Sequence, residues 1–264
     1  MQFWAGWRAP ATALVAGALI FLAACAGEND AQSPAGEGPV AEALADPGRL
    51  AGDAQDDAKR KPAEVLAFIN PKPGMTVFEM EAGAGYYTEL FSRLVGPEGA
   101  VVMHNPQTFA GLVSNRIESR LGDDRLPNVR TTVSNFDDLD AADASADLLT
   151  WILGPHELYF RPPGVETFGD PETSFAEAYR VLKPGGVFII MDHAAPAGAP
   201  SSTGNDFHRI DPAIVKRLAE GAGFELIEES DILRNPNDDF TKGVFDPAVR
   251  RQTDRFLLKY RKPE

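Results

Sequence analysis

The sequence predicts an α/β domain built on a doubly wound, mostly parallel sheet that ends in an antiparallel hairpin. Three observations predict it. Strand-like and helix-like segments alternate from about Pro62 onward, a Gly83-Ala84-Gly85 turn separates the first strand from its helix, and the last two strand-like segments have no helix between them.

In chain order, residues 62–69 space their apolar side chains helically, with Pro62 in the first turn. Residues 75–80 read as a strand, and residues 86–95 as an amphipathic helix, so the glycines fall on the strand-to-helix connection. Residues 100–104, 129–133, 146–153 and 187–192 are further strands, with helices at 108–121 and 171–182. A helix at 212–222 and strands at 224–230 and 253–262 complete the order. Parallel neighbours need crossover helices, and these segments supply them.

The N-terminus reads differently. Arg8 precedes an apolar run from Ala11 to Ala24, too short for a comfortable membrane span, and Leu22-Ala23-Ala24 leads into the only cysteine, Cys25. This resembles a bacterial lipoprotein signal. The resemblance implies that residues 1–25 are a signal peptide and that Cys25 is lipidated and anchors the chain to a membrane. Ala26, rather than an aspartate, implies sorting to the outer membrane, facing the periplasm. The other reading makes Cys25 incidental to an ordinary secretory signal. Residues 26–57 are rich in Ala, Gly, Asp, Glu and Pro and read as a flexible tether, with a nascent helix from about residue 48; residues 58–264 are the folded domain. With one cysteine, the domain depends on its core and not on disulfides.

The 39 acidic and 25 basic residues give a net charge of −14, which repels phosphate backbones, so nucleic acid is not an expected partner.

The element order, with Val77-Phe78-Glu79-Met80-Glu81-Ala82-Gly83-Ala84-Gly85 after the first strand and Leu182-Lys183-Pro184-Gly185-Gly186 before the fifth, resembles the class I S-adenosylmethionine-dependent methyltransferases. Gly83-Ala84-Gly85-Tyr86-Tyr87-Thr88, Gly154-Pro155-His156-Glu157-Leu158-Tyr159, Met191-Asp192-His193, His208-Arg209-Ile210-Asp211 and Val244-Phe245-Asp246-Pro247 are similar to a group of exported bacterial predicted methyltransferases. The resemblance implies a Rossmann-like methyltransferase fold and S-adenosylmethionine as cofactor. It also implies that Glu79 organises the amino-acid end of the cofactor, with Ala82 and Gly83 lining its methionine and ribose.

Only residues without a side chain let the backbone approach a ligand closely, which suits Gly83 and Gly85. The chain departs from the family in places. Glu81 replaces the usual first glycine, so its carboxylate either intrudes on the pocket or, by its charge, favours a sulfonium. The second strand ends at His104 and Asn105 where an acidic residue usually holds the ribose, and Asn135, Phe136 and Asp137 stand near the expected adenine position. Thr88 occupies the third site of a dinucleotide Gly-x-Gly-x-x-Gly pattern, which argues against that cofactor.

All four histidines, His104, His156, His193 and His208, fall at the predicted carboxyl edge of the sheet. His156 is the first choice for a general base, followed by His193 and Asp192. No short ligand spacing marks a metal site, so no metal ligands are assigned, although imidazoles with Asp192 or Glu157 could converge from separate loops. Leu153-Gly154-Pro155-His156 lacks the Asn/Asp-Pro-Pro-Tyr pattern of exocyclic-amine methylation. The expected activity is methyl transfer to a small molecule or an envelope component. The alternative is a tethered, non-catalytic binding protein that keeps the fold.

Overall fold

The computed structural model describes residues 38–264, so the expected signal peptide and Cys25 lie outside the described residues. Seven strands form one sheet: β1 Thr76–Met80, β2 Ala100–Asn105, β3 Val129–Val133, β4 Ala146–Ile152, β5 Leu182–His193, β6 Glu225–Ser230 and β7 Arg255–Arg261. Their order is β3-β2-β1-β4-β5-β7-β6. The first five pair in parallel, and β7 runs antiparallel to both β5 and β6. The order of winding reverses between β1 and β4, so the connections leaving their carboxyl ends run to opposite sides of the sheet, the place where such folds carry a ligand crevice.

Among the described residues eight α-helices accompany the sheet: α1 Pro39–Ala45, α2 Ala54–Arg60, α3 Pro62–Ile69, α4 Tyr86–Val95, α5 Gln107–Leu121, α6 Pro171–Val181, α7 Thr203–Phe207 and α8 Pro212–Gly221. Alternate strand positions feed two cores. Phe78, Met80, Leu149, Trp151, Phe188 and Ile190 pack on one face with Phe175 of α6 and Val215 of α8. Val77, Val101, Leu148 and Ile189 pack on the other with Leu66 of α3 and Leu90 of α4.

The segment expected as a tether is ordered from α1 onward. Ala43 is buried in the second core, Tyr86 donates to Asp57 at 2.6 Å, and Asp46 pairs with Arg93. Asp53 pairs with Arg120, which also bonds the buried carboxylate of Glu89. Composition suggested too little apolar surface to order these residues, yet three charged side chains, Asp46, Asp53 and Asp57, find partners on the domain and offset the ordering entropy. No described helix is long and apolar enough to cross a membrane.

Candidate functional site

The turn after β1 carries the candidate cofactor residues. Gly83 and Gly85 both take left-handed backbone, with φ of 58° and 80°. A Cβ on Gly83 would meet open space, so its lack of a side chain leaves room for a ligand. At Gly85 the reason is internal: a Cβ would lie 2.7 Å from Arg120 Cδ, and Arg120 Nε donates to Ala84 O.

Glu81 also adopts left-handed backbone, φ 52°, and Leu153 does the same after β4, φ 62°. Such strain in non-glycine residues costs on the order of 1 kcal/mol each and gathers at sites that perform work. The Glu81 carboxylate crosses from β1 to β4, where it accepts from Trp151 Nε1 at 3.4 Å. A Cβ on Gly154 would stand 2.4 Å from its Oε2 and 2.1 Å from Trp151 Nε1, so a glycine at 154 makes room for it. Burial, and then the like charge of Glu157, hold the Glu81 pKa well above the ordinary carboxyl value.

Asn105 meets the turn directly. Its Oδ1 accepts from Gly83 N at 2.8 Å and its Nδ2 donates to Gly83 O at 3.1 Å, so the expected ribose acceptor braces the glycine backbone. Asp137 Oδ2 accepts from Asp170 N at 2.8 Å, which ties it to the start of α6. His104 is buried, with Nε2 bonded to Ser134 O, and burial lowers its pKa to about 4. It is a neutral packing residue, separate from the other three histidines.

Glu79 points inward, is 2% exposed, and accepts from Thr88 Oγ1. Burial raises its pKa from 4.5 to about 8 against the opposing Thr88 hydrogen bond and Arg120 charge. The folded chain therefore retains a proton there that the unfolded chain releases near 4.5, so stability falls as pH rises from 4.5 to 8. His104 gives the opposite slope, between about 4 and 6.5, while Glu81 and His156, whose pKa values are also raised, add to the loss above it, so the share of Glu79 is read as the difference between parent and variant. Between pH 6.5 and 8, Glu79→Gln is expected to remove a loss that approaches about 1.4 kcal/mol per pH unit. Urea unfolding of both proteins at the two pH values measures it.

The remaining residues converge past the ends of β4 and β5. A single 3-10 turn, Pro155–Tyr159, follows β4 and buries His156 and Glu157. The buried Asp192 carboxylate, at the end of β5, accepts from His156 N at 2.8 Å and His193 N at 2.7 Å, and it pairs with His156 Nδ1 at 2.8 Å. The His156 and His193 rings lie 6.0 Å apart. His208 joins them because Ile210 N donates to His193 O, which lays that segment along the end of β5. His208 Nδ1 is 3.3 Å from His156 Nε2.

Burial opposes charge on His156, but the adjoining Asp192 and Glu157 overcome it and raise its pKa well above the ordinary value. Burial would likewise raise Glu157, yet hydrogen bonds with His156 and His208 hold it down at about 2. His193 goes the other way: burial, then the neighbouring positive charge of His156, lower its pKa well below the ordinary value. Its Nδ1 meets Thr253 Oγ1 at 2.6 Å. The two imidazoles therefore differ: the adjoining carboxylates favour charge on His156, while burial and the His156 charge disfavour it on His193.

The model of the ubiE/COQ5 methyltransferase family matches residues 56–248. The chain belongs to that family. Among its relatives is the ubiquinone/menaquinone biosynthesis C-methyltransferase UbiE of Enterobacter sp. (strain 638), 28% identical over 189 residues, covering 70% of each chain. The enzyme of the same name from Saccharophagus degradans is 28% identical over 191 residues, covering 69% of each. A SAM-dependent methyltransferase from Aquifex aeolicus shares the fold, with TM-score 0.55 and 22% identity over 79% of this chain and 95% of that one. The Haloferax volcanii complex of the Trm112 activator with a putative methyltransferase gives TM-score 0.55 and 21% identity over 81% and 95%.

S-adenosylmethionine is the cofactor of this ubiE/COQ5 member, and the site fits it at two points: the open face of Gly83 and the buried Glu81 carboxyl, whose one hydrogen bond leaves it suited to a cation. Sequence reasoning missed Trp151, Thr253 and the meeting of His208 with His156. Only Gly154-Pro155-His156 gave a local sign, through a glycine beside the turn.

Proposed function

We propose that the chain methylates a small molecule or an envelope component at the crevice between the Gly83 turn and the His156–Asp192–His193 group. S-adenosylmethionine supplies an electrophilic methyl group on a cationic sulfur. Gly83 leaves space for the cofactor, Glu81 stabilises the positive charge, and Asp192 fixes both imidazoles so that His193 takes the acceptor's proton. The relatives' names, which refer to quinone biosynthesis, support a small-molecule acceptor.

The Glu81 carboxylate carries this reading, and it can be tested without knowing the acceptor. Burial keeps the Glu81 carboxyl protonated in the free chain, and a bound sulfonium draws that proton off; Glu81→Gln preserves size and cannot make this carboxylate, so it should weaken S-adenosylmethionine about tenfold or more, a modest share of the coulombic energy of a close partly buried pair. S-adenosylhomocysteine has a neutral thioether and should bind the variant as it binds the parent. Calorimetry on both ligands decides: equal losses, or none, would remove the sulfonium role. A second reading, a binding protein that keeps the fold without the chemistry, is favoured by the Asn105 carboxamide, whose two hydrogen bonds are spent on Gly83. Absence of binding at millimolar S-adenosylmethionine by a folded chain would select it.

The signal resemblance at Cys25 supports an envelope location with a lipid anchor. More than one acyl chain is needed for durable attachment. Cys25→Ser is expected to release the protein into the soluble fraction; retention after a carbonate wash would count against the anchor.

A further inference from the structure

We propose that His156 Nε2, Glu157 Oε1 and His208 Nδ1 form a binding site for one divalent zinc-type cation, with a fourth position open to water or to an oxygen or sulfur of the methyl acceptor. The three atoms form a nearly equilateral triangle with sides of 3.2, 3.3 and 3.4 Å. A tetrahedral ion with bonds of about 2.0–2.1 Å separates its ligands by about 3.3–3.4 Å. An octahedral ion with the same bonds brings neighbouring ligands to about 2.9 Å, so the triangle favours four-coordination. Two imidazoles and a carboxylate are a borderline donor set that zinc accepts.

The surroundings match what a metal site needs beyond its first ligands. His156 turns its other nitrogen, Nδ1, to Asp192 Oδ1 at 2.8 Å, the carboxylate–histidine arrangement that fixes the tautomer and strengthens a metal-binding imidazole. Glu157 Oε2 is buried and has no hydrogen-bond partner. An unpartnered buried oxygen costs about 1–3 kcal/mol, and a cation held by the same carboxylate offsets it. The approach of His208 is built into the backbone as well. Helix α7 lies so close to the 3-10 turn that a Cβ on Gly204 would stand 2.6 Å from His156 O. His208 follows α7 in left-handed backbone, φ 53°, with Phe160 and Phe245 rings centred 4.3 and 4.9 Å from its own. Those rings limit solvent on the one ligand that is partly exposed.

The inference does not depend on methyl transfer, and its test reads binding alone. The full chain carrying Cys25→Ser, which removes the only thiol, is freed of metal with a chelator and titrated with cobalt(II), then with zinc. One equivalent of cobalt should give the intense visible bands of four-coordination, and one equivalent of zinc should abolish them. His208→Asn, at the least buried ligand, should weaken binding at least a hundredfold while the circular dichroism spectrum stays unchanged. Glu157→Gln should do the same, and Asp192→Asn should cost about 10–100-fold through His156. Should any variant fail to fold, the cobalt spectrum and zinc stoichiometry of the parent still decide. A folded parent that binds no cobalt, a weak six-coordinate spectrum, or parent-like affinity in folded His208→Asn would each overturn the site and leave a hydrogen-bonded histidine–glutamate cluster in its place.

Discussion

Replacing Asp192 with Asn is expected to lower the rate of methyl transfer by about 10²–10⁴-fold, the range associated with a positioned proton-transfer group. Oδ1 accepts from His193 N and pairs with His156 Nδ1, while Oδ2 accepts from His156 N. A carboxamide has a single acceptor oxygen. If that oxygen takes the Oδ1 place, the amide nitrogen faces the His156 N–H, donor against donor; if it is flipped, the His193 N–H and the imidazole lose their acceptor. Either way the ends of β4 and β5 lose a shared tie, and both imidazoles shift. Asp192 acts through these histidines, so a split in the kinetics identifies its role: kcat should fall while S-adenosylhomocysteine affinity is largely unchanged. A parallel collapse of binding would indicate general damage instead.

The second large effect is on stability. Arg209 is 1% exposed, and its guanidinium meets both oxygens of the fully buried Asp238 at 2.7 and 3.1 Å. It also donates to Ala194 O and Lys242 O, while Asp238 accepts from Asp254 N. Arg209→Met strands a buried carboxylate and should cost about 3–5 kcal/mol in urea unfolding. The double variant Arg209→Met, Asp238→Leu should recover much of that loss, because the cost lies in the unpaired charge more than in the missing attraction. The pair pins the 231–254 connection beside the end of β5, where Thr253 reaches His193. His193 should therefore gain mobility in the single variant, visible as broadening of its imidazole resonances.

Periodic apolar patterns and glycine turns made the sheet legible in the sequence. The expected strands at 100–104 and 129–133 match β2 and β3 within a residue, and the expected terminal hairpin is the antiparallel pair β6 and β7. Segments without a period were harder. Pro155–Tyr159 and Thr203–Phe207 are single turns, too short to show a helical stripe, yet they carry or place His156, Glu157 and His208. The helix expected from about residue 48 appears as α2, but the docking of residues 39–57 on the domain was not legible, because ion pairs such as Asp53 with Arg120 join positions far apart in the chain. For the site, the gathering of His156, His193 and Asp192 was legible, since parallel neighbours β4 and β5 bring their carboxyl ends together. Which imidazole carries charge was not, because it depends on which carboxylates surround each ring.

Strand β7 lies inside the sheet, between β5 and β6, although it is the last of the seven in chain order. Until it arrives, β5 presents a bare and strongly apolar edge, Val187 through Met191, to whatever is nearby. Assembly of this half of the sheet therefore waits for β7, and its long-range pairing makes that closing step slow. A chain cut short before Arg255 would keep most of its residues and all four histidines, but it would be a sticky, protease-prone intermediate in need of a holding chaperone.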